Sequence, residues 1–257
     1  MIGWTLKDRE SWEKDYRWRL DPHDPRRLPS EAEVEAYARE NETRQTPLGI
    51  HLGSLYGIPR DWLGFQNIAM LLYDDPALVE EIVETQCQLV EDAARIWLQK
   101  VQFDYAHFWE DICFKSGPML SPAFFRRFAV PRYQRLTRLC HEHGVDIIMV
   151  DCDGCIDDLV PCWLDAGVNC MFPIEVGTWG GNIGKWRQAY GRAVIGVGGV
   201  EKFKLSLGRE AIDAEVERVR RLADLGGYIP CPDHRIPPNV SLDNMKYYVE
   251  KMRSAFG

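Results

Sequence analysis

Met149-Val150-Asp151-Cys152-Asp153-Gly154-Cys155 decides how the rest of the chain is read. It closes the short apolar run 145–150, which follows a helix-like segment ending at Gly144. Two acids then arrive one residue apart, Gly154 follows, and helical spacing resumes at Ile156. An apolar run bounded in this way reads as a parallel strand ending at the mouth of an α/β protein. Side chains alternate faces along a strand, so Asp151 and Asp153 are expected to point the same way. Two carboxylates on one face bind a cation, hold a polar ligand or share a proton. Taken alone, Asp153 is equally well explained as the cap of the next helix.

The pattern repeats on both sides of this stretch. Strands are expected near 48–54, 103–110, 145–150, 168–172, 193–197 and 226–231. Between them lie helical segments at 62–72, 76–98, 121–143, 156–165, 185–190, 208–225 and 241–256. Ser30 and Glu33 form a capping-box pattern for one further helix, 30–42. Residues 1–47 are polar and turn-rich and read as an N-terminal arm, with a barrel-like domain over 48–257. Six alternating strand–helix units imply a parallel sheet with right-handed crossovers. That is an open doubly wound sheet or most of a (β/α)8 TIM barrel. No G-x-G-x-x-G follows the first strand and no phosphate-binding P-loop is present, which weighs against nucleotide folds. Polar residues collect at the expected strand ends: His107, Glu110 and Asp111, then Asp151 and Asp153, then Glu175, then Asp233 and His234. Polar groups ending four strands are harder to explain as caps than any one of them, so a site is the better reading.

Composition narrows the function classes. With 257 residues, 46% hydrophobic and 27% charged, the chain can bury a substantial core. Lys+Arg 31 against Asp+Glu 39 leaves a net charge of −8, which argues against a nucleic-acid surface. No apolar run approaches the ~20 residues that span a bilayer, and the N-terminus is too charged for a signal peptide, so a cytoplasmic location is expected. The eight cysteines fall mostly inside expected strands and helices, which favours reduced thiols over a disulfide framework. Cys152 and Cys155 form a C-x-x-C, but the flanking acids would raise the pKa of Cys152 and weaken it as a nucleophile.

Four motifs in order carry a family resemblance. They are Trp109–Pro118 (WEDICFKSGP), Asp151–Glu175 (DCDGCIDDLVPCWLDAGVNCMFPIE), the Gly198-Gly199 turn, and Gly226–Tyr248 (GGYIPCPDHRIPPNVSLDNMKYY). Together they resemble the uroporphyrinogen decarboxylase superfamily, which holds the haem-pathway decarboxylase and the cobamide-dependent methyltransferases. The resemblance implies a (β/α)8 barrel, here with about six recognisable units. It places His234 where the decarboxylase has an active-site histidine and the methyltransferases a zinc-binding cysteine. Asp151 and Asp153 stand where the methyltransferases carry a His-x-Cys zinc pair, and Asp153 matches an acid that the decarboxylase has before the same glycine. Asp111 lies where the decarboxylase has a substrate-contacting serine. The R-x-x-G-R segment that holds the decarboxylase's substrate carboxylates has no counterpart in this chain.

The resemblance implies a methyltransferase-like enzyme. A divalent metal, zinc foremost, would be held by Asp151, Asp153 and His234, with Cys231 or Glu110 completing the set. It would activate a small methoxy or methylamine-type substrate, and a corrinoid partner protein would take the methyl group. His107, Glu110, Asp111, Asp153 and His234 are the candidate catalytic groups. Tyr56, Arg60, Trp109 and Glu175 are the candidate substrate contacts. The alternatives are a metal-free, cofactor-free decarboxylase (carboxy-lyase) of porphyrin type, with Asp153 and His234 handling protons, and a non-catalytic ligand-binding barrel. A homo-oligomer is also expected to be open to the chain; nucleic acid and membrane are not expected partners.

Overall fold

A computed structural model describes residues 4–257. The strands are β1 (Gly49–His51), β2 (Tyr105–Trp109), β3 (Cys113–Phe114), β4 (Gly117–Pro118), β5 (Ile147–Asp151), β6 (Cys170–Ile174), β7 (Ile195–Val200) and β8 (Tyr228–Pro232). The α-helices are α1 (Arg9–Ser11), α2 (Glu31–Asn41), α3 (Gly57–Leu63), α4 (Phe65–Asp74), α5 (Pro76–Leu98) and α6 (Pro122–Phe128). They continue with α7 (Val130–Glu142), α8 (Val160–Asp165), α9 (Val176–Trp179), α10 (Ile183–Tyr190), α11 (Arg209–Ala223) and α12 (Leu242–Phe256). All six expected strands are present; β3 and β4 add a small antiparallel hairpin where the sequence shows only a turn. The chain forms two compact units. One holds the chain up to Ile112 with Met119–Val150 and Pro161–Val168; the other holds Cys113–Pro118, Asp151–Val160 and Asn169–Gly257.

In the first unit the strand order is β1-β2-β5. β1 and β2 are parallel, with Gly49 opposite Tyr105 and His51 opposite His107. Burial alternates as the pleat requires: Ile50, Ala106 and Phe108 are buried, while His51, Tyr105, His107 and Trp109 share the more open face. Phe108 meets Tyr133 edge-on at 4.6 Å, and Phe125 meets Trp163 edge-on at 5.7 Å. Such pairs add about 0.5–1.5 kcal/mol beyond the area they bury. Phe65 opens α4 and is 41% exposed. Helix α5 starts with Pro76 in its first turn and Asp75 as its cap, whose carboxylate accepts from the Leu78 amide at 3.0 Å. Arg132 and Arg135 on α7 reach Glu80, Glu84 and Glu91 on α5.

The segment read as an arm carries buried residues of its own, Leu6, Trp12, Leu20 and Val34. Trp12 Nε1 donates to Glu81 Oε1 on α5 at 3.1 Å. The Ser30–Glu33 capping box forms as the sequence predicts. Two expected continuous helices are each broken. The helix expected over 62–72 divides at Gly64, whose φ of 80° leaves the helical region, and its first part starts earlier, at Gly57. The helix expected over 121–143 divides at Ala129, because Pro131 has no amide to donate and its ring displaces the preceding turn.

In the second unit β6, β7 and β8 lie side by side in parallel, with Cys170 opposite Ile195 and Gly196 opposite Tyr228. The β6–β7 register shifts between Met171 and Ile174, next to the end of β6. Helices α11 and α12 pack together, and Tyr247 donates to Asp213 Oδ1 at 2.9 Å. No helix among the described residues is long and apolar enough to cross a membrane.

Candidate functional site

Three of the strand-end groups converge within the second unit. Asp153 follows β5, Glu175 follows β6 and His234 follows β8. One ligand atom from each lies within 4.8 Å of the others. His234 Nε2 is 3.1 Å from Asp153 Oδ2. The Asp153 and His234 side chains are 41% and 33% exposed, so a solute can reach them. Glu175 is buried and pinned: Oε2 accepts from the Gly154 amide at 2.7 Å and Oε1 from Thr178 Oγ1 at 2.9 Å. Each carboxylate oxygen has two acceptor directions, so this clamp leaves Glu175 able to face a further cation or donor.

Gly154 is the hinge of this arrangement. Its φ is 91°, and a Cβ there would sit 2.5 Å from the Cys113 carbonyl oxygen. Gly154→Ala is therefore expected to cost at least about 2 kcal/mol and to loosen the amide that holds Glu175. A urea midpoint unchanged from wild type would contradict this.

The other acids at the strand ends have structural work. Asp233 is fully buried; Oδ2 accepts from the Val176 and Gly177 amides, both at 2.9 Å, and Oδ1 from the Lys202 amide at 3.1 Å. In the first unit Glu110 is also fully buried. Its oxygens accept from Ser54 Oγ (2.9 Å), the amides of Leu55 (2.8 Å), Tyr56 (3.0 Å) and Gly57 (2.8 Å), and the Tyr133 hydroxyl. Five donors saturate the group and no face of it meets solvent. Glu110 thus anchors the turn from β1 into α3; the general-acid role read from sequence is withdrawn.

His107 is likewise committed, to a partner the sequence did not suggest. His51 Nδ1 and His107 Nε2 are 2.9 Å apart, and the rings are tilted by 36° with centroids 4.5 Å apart. His107 Nδ1 is buried with no hydrogen-bond partner among the described residues. Desolvation lowers both imidazole pKa values, so the pair is held neutral at pH 7. The unfolded chain then takes up protons before the native state does. Stability from this pair is complete above about pH 6.5 and is lost as pH falls below it. His107→Gln is expected to flatten the fall of the melting temperature between pH 7 and pH 5, read from thermal melts; parallel profiles would contradict the assignment.

Among the expected substrate contacts, Tyr56 is buried, and burial raises its hydroxyl pKa. Arg60 Nη1 donates to the Asp111 carbonyl, Nη2 donates to Asp61 at 2.8 Å, and the guanidinium lies over the Trp109 ring at 5.8 Å. Asp111 has a φ of 48°, the one positive value at a non-glycine residue among those described. Asp151, at the end of β5, brings a carboxylate oxygen within 4.8 Å of one on Asp153 but is outside the Asp153–Glu175–His234 group, and Cys231 joins no ligand cluster among the described residues. Glu175, expected as a substrate contact, takes the place foreseen for Cys231.

No disulfide joins any of the eight cysteines. Burial pushes the thiols of Cys87, Cys140 and Cys170 up to about 12 and raises Cys155 and Cys231. Cys152 is fully buried. A redox C-x-x-C needs an accessible, acidic thiol, which is not what this pair offers. Arg218 donates to the Gly199 carbonyl and pairs with buried Glu215. Thr178 and Gly154, which position Glu175, carry no motif; a short polar residue three positions after a strand-end acid is the only signal they leave.

Comparison with known proteins gives a family match and a structural likeness. The family model for Uroporphyrinogen decarboxylase (URO-D) matches residues 12–255. No curated protein matches the chain. Among solved structures, a methyltransferase from Methanosarcina mazei superposes with a TM-score of 0.64 at 17% identity. The match covers 87% of this chain and 63% of that one, so the chain spans less than two thirds of that protein's length.

Proposed function

The chain belongs to the uroporphyrinogen decarboxylase (URO-D) family, an α/β family of TIM-barrel type, and on that premise we propose that it is a methyltransferase-like member acting at Asp153, Glu175 and His234. The observation that carries this reading is the convergence of two carboxylates and an imidazole within 4.8 Å at strand C-termini, where barrel enzymes place their chemistry. Oxygen, oxygen and nitrogen donors so spaced fit a divalent ion, zinc foremost. Bound there, such an ion would polarise the oxygen or nitrogen that carries the methyl group.

The chain's own groups divide the remaining tasks. With no ion bound, Asp153 Oδ2 lies 3.1 Å from His234 Nε2 and sets the ring's orientation; an ion would take both atoms as ligands in place of that contact. Glu175, clamped by Gly154 and Thr178, supplies a fixed negative charge that needs no rearrangement on binding. The substrate approaches from the exposed side of Asp153 and His234, and a corrinoid protein is the proposed methyl acceptor. A small methoxy or methylamine-type compound is the proposed methyl donor.

A second reading rests on the same 3.1 Å contact. An acid–imidazole pair can exchange a proton directly, as a decarboxylase of this family would require. Incubation of the protein with cob(I)alamin and a panel of methoxyaromatics and methylamines separates the two. Methylcobalamin formed only with added zinc supports methyl transfer. Metal-independent release of CO2 from a porphyrinogen carboxylate, without methylcobalamin, would replace it with the decarboxylase reading.

A further inference from the structure

Lys202, in the second unit, is a buried cation that the proposed reaction does not use. It follows β7 and is 8% exposed. Among the described residues its nearest carboxylate oxygen is Asp233 Oδ1, 3.9 Å from Nζ and beyond hydrogen-bond reach. Asp233 is satisfied by other donors, since its oxygens accept from the amides of Val176, Gly177 and Lys202 itself. An ammonium carries three donors, and leaving them unmade in a buried place is costly. The β7–β8 register sets Val200 opposite Pro232, so Lys202 and His234 each stand two residues past that pair, at neighbouring strand ends. Phe203 lies beside the ammonium, with Nζ 5.2 Å from the ring centroid, and is 46% exposed. The same ring packs on the first turn of α9: a Cβ at Gly177 would lie 2.9 Å from its Cδ2. Gly177 is two residues from Glu175.

We propose that Lys202 and Phe203 form an anchoring subsite beside Asp153, Glu175 and His234, in which the ammonium binds a carboxylate and the Phe203 ring packs on the aromatic ring that bears it. A single ammonium among acids suits one negative charge; a phosphate dianion would need more donors than this place offers and would meet Asp233 and Glu175. The half-exposed ring next to the ammonium makes the body of the ligand aromatic. The ligand is therefore an aromatic acid. That its far end carries a methoxy group rests on the methyl transfer proposed above; the carboxylate subsite does not. A lysine that only offset the charge of Asp233 would treat charged and neutral ligands alike.

The test is titration calorimetry with 4-methoxybenzoate and with 4-methoxybenzamide, which has nearly the same shape and no charge, each with and without zinc. Wild type should bind the acid at least about 10-fold more tightly than the amide, as a charge-assisted hydrogen bond implies. Lys202→Met should lower affinity for the acid by about 10-fold or more and leave the amide unchanged, Lys202→Arg should restore part of the loss, and Phe203→Ala should weaken both ligands alike. If thermal melts show Lys202→Met to be destabilised, the wild-type comparison and Lys202→Arg carry the test. Equal wild-type affinity for acid and amide, binding of neither, or a Lys202→Met loss equal for both would overturn the subsite. Lysine-dependent binding of the acid without methylcobalamin formation from it would keep the subsite and remove methyl transfer. Methylcobalamin formed from neutral methoxybenzenes, equally well in Lys202→Met, would do the reverse.

Discussion

Replacing Glu110 by alanine is expected to cost the fold at least about 4 kcal/mol, from five buried donors each stranded at about 1 kcal/mol or more. Those donors are Ser54, the amides of Leu55, Tyr56 and Gly57, and the Tyr133 hydroxyl. The loss is a large share of the roughly 5–15 kcal/mol that holds a domain together. Glu110→Gln keeps one acceptor oxygen but turns an amide donor toward backbone amides, so an intermediate loss is expected. Urea denaturation of both variants checks this. Wild-type stability combined with lost activity would return Glu110 to the catalytic list, contrary to the geometry.

Substitution of His234 or Asp153 should have the opposite signature. Both side chains are partly exposed, so His234→Ala and Asp153→Ala are expected to change stability by no more than about 1 kcal/mol. Loss of an outer-sphere partner already weakens metal sites 10–100-fold, so removal of a direct ligand is expected to weaken zinc binding by at least about 100-fold. The two residues share one hydrogen bond, so the double variant should lose less than the sum of the singles. Zinc calorimetry on the three proteins measures this. Unchanged affinity in either single variant would remove that residue from the site.

Much of this was legible in the sequence. Apolar runs of strand length, helical spacing and strand-end acids gave all six parallel strands and the main helices. What periodicity could not convey was where a helix breaks: Gly64 and Pro131 interrupt the expected 62–72 and 121–143 helices through backbone geometry that leaves the apolar pattern intact. In the site, Asp153 and His234 were readable from their places in the motifs, and they meet. Glu110 and Asp233 look the same on paper as Asp153, yet differ entirely in what they accept hydrogen bonds from. Acids at strand ends either receive backbone amides or face solvent, and the composition of a strand end does not distinguish the two. The His51–His107 pair was missed because its members are 56 residues apart and meet only through the β1–β2 register.

The most direct test of the central claim is anomalous diffraction at the zinc edge from crystals of the wild-type chain grown with zinc. The proposed site predicts one strong peak about 2.0–2.2 Å from an oxygen of Asp153, an oxygen of Glu175 and a nitrogen of His234. No peak at these residues, or a peak bound elsewhere with Asp153 and His234 still hydrogen-bonded to each other, would contradict it.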